Sequence, residues 1–68
     1  MKKYELVITR HLNGKKIQLE SLLLESDKSV SEILCNDGLE LCKKHGIDNT
    51  KANLYELENG LKFWCGVI

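Results

Sequence analysis

Two Asn-Gly dipeptides, Asn13-Gly14 and Asn59-Gly60, constrain this chain more than any other feature of it. A two-residue hairpin turn of type I′ needs positive φ at both central positions, and asparagine followed by glycine tolerates that best. Each dipeptide is flanked by short runs rich in apolar residues. The chain is therefore expected to begin and end in a β-hairpin, over residues 3–24 and 53–67.

A two-residue turn also fixes register. Around Asn13-Gly14 it sets Leu12 opposite Lys15, Arg10 opposite Ile17, Ile8 opposite Leu19, Leu6 opposite Ser21 and Tyr4 opposite Leu23. One face then carries Tyr4, Leu6, Ile8, Leu12, Ile17, Leu19 and Leu23, while the other is mostly polar, so turn chemistry and pattern agree. Around Asn59-Gly60 the same rule sets Tyr55 opposite Trp64 and Leu54 opposite Cys65, yet both faces come out apolar. The last strand is the most apolar and is expected in the middle of a sheet. The second and third carry more charge, which suits edges.

Between the hairpins, residues 29–47 read as the one helix. Ser29 followed by Glu32 is a capping box. Lys43, Lys44 and His45 sit where the helix dipole is negative, and Gly46-Ile47 fits a left-handed cap whose next residue packs back on the last turn. At about 100° per residue, Val30, Leu34, Cys35, Gly38, Leu41, Cys42 and His45 share one face, leaving Ile33 and Leu39 outside it. Gly38 is then a point of close approach to a sheet. A break at Asn36-Asp37-Gly38, with Asp37 and Glu40 as a second capping box, is the rival; the single apolar stripe favours the unbroken helix.

Two hairpins joined by one helix give an α+β domain of order β-β-α-β-β, a four-stranded sheet with one helix on one face. The economical assembly pairs the first and last strands parallel at the centre. That topology resembles the β-grasp of ubiquitin-like and immunoglobulin-binding bacterial domains, and SDKSVSEIL before KKHGI is similar to the strand-to-helix passage of ubiquitin-like proteins. The chain ends Gly66-Val67-Ile68 without a diglycine, so the resemblance does not extend to conjugation or sulfur-carrier chemistry. Fold does not imply function.

At 68 residues the chain is one domain with a thin stability margin, which a second copy or a bound partner would widen. Ten basic residues balance ten acidic ones, so no net field draws the protein to nucleic acid or to anionic membrane. Residues 18–40 hold six acids against one lysine, read as a solvated edge. Three cysteines without paired spacing argue for free thiols and a cytoplasmic setting. No apolar run has the length of a membrane span.

Chemistry-bearing clusters are few. Cys35, Cys42, His45 and Cys65 could in principle ligate zinc, but Cys35 and Cys42 lie roughly 10 Å apart along a helix. Cys42 with His45 is the one local nucleophile-base pair, and it reads as a packed cysteine beside a cap-region histidine that interacts with the helix dipole. Glu56 and Glu58 share a strand face that they keep soluble, His11 lies beside the first turn, and no glycine loop cradles phosphate. No catalytic residue, metal site or cofactor is expected, and the protein is read as a non-enzyme.

What remains is a contact surface. A single helix covers one sheet face and leaves the other open. Turning Leu54, Leu61, Phe63, Cys65 and Val67 to the helix buries more aliphatic surface, and leaves Tyr55, Leu57, Trp64 and Ile68 outside, flanked by Val7, Thr9, Gln18 and Leu22. Exposed apolar groups with Trp and Tyr mark contact surfaces. The expected role is a protein-protein interaction module, binding a larger partner in an accessory or inhibitory way or pairing as a homodimer. The alternative is single-stranded nucleic-acid binding on a Tyr55–Trp64 stacking platform. In a third arrangement Tyr55 and Trp64 face the core instead.

Overall fold

The computed structural model describes residues 1–68, and in it both hairpins form at the two Asn-Gly turns. Asn13, Gly14, Asn59 and Gly60 have φ of 52°, 79°, 52° and 78°, the left-handed values that a type I′ turn requires. The strands are β1 (Lys2–Leu12), β2 (Lys15–Ser26), β3 (Thr50–Glu58) and β4 (Leu61–Val67). The one helix, α1 (residues 30–45), lies between β2 and β3. This is the α+β, β-β-α-β-β arrangement with one helix across a four-stranded sheet.

Strand neighbours differ from those of the β-grasp. The order is β2-β1-β3-β4 and every pairing is antiparallel. The expected parallel β1–β4 centre is replaced by eight antiparallel β1–β3 pairs, from Lys3–Leu57 to Arg10–Thr50. Two contacts explain why β3 takes the centre. Ala52 is small enough to let α1 sit directly over β3, since a Cβ built at Gly38 would lie 3.0 Å from the Ala52 Cβ. On the opposite face Asn53 is buried and its Nδ2 donates to Thr9 Oγ1 at 3.3 Å and to the Val7 carbonyl at 3.5 Å, ties that only a neighbour of β1 can make. The most apolar strand is thus an edge, because position depends on which residues fit both neighbours and not on apolar content alone.

The helix is unbroken but not uniform. Val30–Ile33 and Leu39–His45 are α-helical, and Leu34–Gly38 forms a π-helical turn between them. A π turn absorbs one extra residue, about 100° of rotation, so it resets the phase of the apolar stripe. That corrects two residues: Ile33 is fully buried, and Cys35 faces solvent. Ser29 caps the start, its Oγ accepting from the Glu32 N–H at 3.2 Å while its hydroxyl lies 3.3 Å from Glu32 Oε1. Gly46, at φ 91°, donates to the Lys43 carbonyl and ends the helix. Ile47 does not pack back; it is exposed.

The core lies between α1 and one sheet face. Tyr4, Leu6 and Ile8 of β1, Ala52 and Leu54 of β3, and Ile33, Leu34 and Cys42 of α1 form it. Leu6, Ile8, Ile33 and Leu54 are fully buried, each contributing about 1.5–3 kcal/mol of transfer free energy. Arg10 donates to the His45 carbonyl oxygen, and Glu20 of β2 meets both Lys44 and His45, so the helix C-terminus is tied to β1 and β2.

Candidate functional site

Two bulges decide which side chains reach the open face. In the first hairpin the expected register holds from Leu12–Lys15 to Arg10–Ile17, then shifts between Ile8 and Thr9, with Leu19 as the extra residue. Beyond it Ile8 faces Glu20, Leu6 faces Leu22 and Tyr4 faces Leu24. Leu22 therefore stands on the helix side, not on the open face. Leu23 takes the open face and is 71% exposed.

In the second hairpin the register holds from Glu58–Leu61 to Tyr55–Trp64 and shifts at Cys65. Gly66 then pairs with Leu54, Val67 with Asn53, and Ile68 bonds reciprocally with Ala52 at 3.1 and 3.0 Å. Ile68 thus turns to the helix side, where its Cγ2 lies near Gly38, and Val67 turns to the open face. Neither bulge has a sequence mark as plain as an Asn-Gly turn, so parity beyond each was not legible.

The other six expected contact residues share the open face. Val7, Thr9, Gln18 and Tyr55 line a depression of about 240 Å³ with Lys16 and Lys62. Val7 and Thr9 are buried as its floor. Leu57 and Trp64 lie beyond it on β3 and β4, opposite Lys62 and Tyr55 respectively. Trp64 is 59% exposed, so the core placement of this residue is excluded.

The middle of this face is more polar than expected. Lys62 Nζ lies 2.8 Å from Glu5 Oε1 and 4.6 Å from the centre of the Tyr55 ring. The hydrogen bond to Glu5 raises the Lys62 amine above its usual range. One face of Tyr55 is thereby covered by a paired ammonium group.

Apolar exposure is concentrated instead on β4. Leu61 and Phe63 point to the helix side, as expected, but the helix does not cover them, and they are 60% and 49% exposed. Their cross-strand partners, Glu58 and Glu56, carry the signal that could have revealed this, because carboxylates opposite them belong in water. Leu61, Phe63 and Trp64 thus expose large apolar groups on both sides of one edge strand.

The residues weighed for chemistry do not converge. Cys42 is buried, which pushes its thiol pKa up, while Cys35 faces solvent. His45 Nε2 is held 2.6 Å from Glu20 Oε1. No group of three or more His, Cys, Asp or Glu side chains is placed to hold a metal ion. No helix is long and apolar enough to cross a membrane. No family model, curated protein or solved structure matches this chain.

Proposed function

We propose that this protein is a small non-enzymatic interaction module that binds protein through β4 and the adjoining open face. The observation that carries the reading is the run Leu61–Trp64, in which three of four consecutive side chains are large, apolar and 49–60% exposed. Leaving such groups about half in water forgoes on the order of half of the roughly 1.5–3 kcal/mol that full burial of each would give. A partner that covers them recovers part of it. Tyr55, Leu57 and Val67 extend the surface on one side, with the Lys62–Glu5 pair as a polar element within it.

Nucleic-acid binding is the second reading, since Tyr55 and Trp64 do lie opposite each other on the open face. Lys62 already occupies the Tyr55 ring and is paired with Glu5, so a base would have to displace an ion pair in order to stack. A protein surface needs no such displacement. Adoption of oligothymidylate with a steep salt dependence would favour the nucleic acid.

Trp64→Ala is the direct test. Its side chain makes little of the core, so cooperative unfolding in urea is expected to move by under about 1 kcal/mol. Binding to an immobilised partner, or to a second copy, is expected to weaken about tenfold or more. Unchanged binding with unchanged stability would remove Trp64 from the surface and overturn the reading.

A further inference from the structure

The pattern of paired and unpaired backbone along β4 identifies what fits it. Ala52 and Ile68 exchange both hydrogen bonds, which marks a hydrogen-bonded pair. Counting back along β3 in steps of two gives Leu54–Gly66, Glu56–Phe63 and Glu58–Leu61 as the other such pairs. Leu61 and Phe63 therefore turn their N–H and C=O groups inward to β3. Lys62 and Trp64, between and beyond them, turn theirs out from the sheet.

Edge strands in natural proteins are usually guarded by lysines, prolines or bulges. The other edge, β2, carries Lys15, Lys16, Glu20 and Glu25. On β4 the single charged side chain is Lys62, and Glu5 already neutralises it. The bulge at Cys65 limits flat strand to residues 61–64.

We infer that β4 pairs antiparallel with β4 of a second copy, making one continuous eight-stranded sheet, with Phe63 facing Phe63 of the other copy across the two-fold axis. The inference rests on the reading of β4 as a contact surface and names its partner. Symmetry and hydrogen bonding select this register together. A two-fold axis normal to the sheet keeps like faces on one side, so the two residue numbers in each pair must sum to an even number. Of the even sums, 126 sets outward Lys62 opposite outward Trp64, so both pairs related by the axis can exchange two hydrogen bonds. A sum of 124 would place Lys62 against Lys62, like charges directly opposed.

In the selected register each Lys62 lies beside the other copy's Trp64 on the open face, a cation-aromatic neighbour. On the helix side Phe63 meets Phe63, while Leu61 lies at the end of the flat run, where the other copy's bulge at Cys65 begins. Both exposed aromatic side chains of residues 61–64 gain a cross-strand partner.

Sedimentation equilibrium of the full chain from micromolar to millimolar concentration tests the association, and cysteine cross-linking tests the register. The wild type is expected to dimerise, and Phe63→Lys, which sets two ammonium groups face to face, to raise the dissociation constant roughly tenfold or more. In a Cys35→Ala, Cys65→Ala background, Phe63→Cys is expected to form a covalent dimer on mild oxidation. Non-hydrogen-bonded partners lie about 4.5 Å apart at Cα, within disulfide reach. Lys62→Cys is expected to stay unlinked, its two copies being roughly 8 Å apart.

A wild type that stays monomeric at millimolar concentration overturns the inference, as does a dimer indifferent to Phe63→Lys. Faster cross-linking through Lys62→Cys overturns the register. A monomer whose partner binding is nonetheless lost in Trp64→Ala would sink self-pairing and leave the interaction module standing.

Discussion

At the scale of the residue, the three cysteines occupy three different environments and so separate packing from chemistry. Cys35 is exposed, Cys65 is half-buried, and Cys42 is buried as a member of the core cluster. Burial disfavours the thiolate of Cys42, the reactive form, and so raises its pKa. Ellman's reagent added to native protein is therefore expected to modify Cys35 first and Cys42 last, at a rate no faster than the domain opens. Cys42→Ala should abolish the slowest phase and cost about 1–2 kcal/mol of stability through the space it leaves. A fast-reacting Cys42 would mean that the core opens locally around it. Among the cysteines, Cys35, placed on the apolar stripe by helical spacing, is the one whose environment the sequence misreported, because it lies in the π turn whose extra residue resets the stripe.

At the scale of the element, that extra residue has a cause. Gly38 closes the π turn where the helix backbone comes nearest to β3, and the atom it would strike is the Ala52 Cβ, which has no rotamer through which to yield. Alanine in a helix is ordinarily better than glycine by roughly 1 kcal/mol. Here the contact at 3.0 Å opposes that gain, and Gly38→Ala is expected to destabilise the domain by about 1–2 kcal/mol, read from the urea midpoint. A more stable variant would show that the helix can lift from the sheet without loss. The close approach itself was legible, as were both turns, the cap at Ser29 and the single helix, because each depends on a local residue type with one conformational use. The bulges at Leu19 and Cys65 were not, because each lies within an edge strand where no local residue type has a single conformational use. They explain why six of eight expected surface residues share the open face while Leu22 and Ile68 do not.

At the scale of the whole molecule, the small core is supplemented by a polar clasp between distant parts of the chain. Glu20, turned to the helix side by the bulge at Leu19, accepts from His45 at 2.6 Å and from Lys44 at 3.3 Å, while Arg10 donates to the His45 carbonyl. The bond to His45, then that to Lys44, lowers the Glu20 pKa below the ordinary carboxylate value. A carboxyl group depressed in the folded state binds protons more readily when unfolded. Its stabilisation is complete above the unfolded value, about 4.3, and is lost as pH falls through the lower folded value. Glu20→Gln is expected to be less stable than wild type at pH 6, with the difference shrinking as both are acidified below pH 4. Other carboxylates titrate in the same window, so the measured quantity is the gap between the two urea-midpoint curves and not the slope of either. Because these side chains reach water, added salt should also narrow the gap. Parallel curves from pH 6 to pH 3 would mean that Glu20 holds the helix by packing alone, and that the join between α1 and β2 does not depend on its charge.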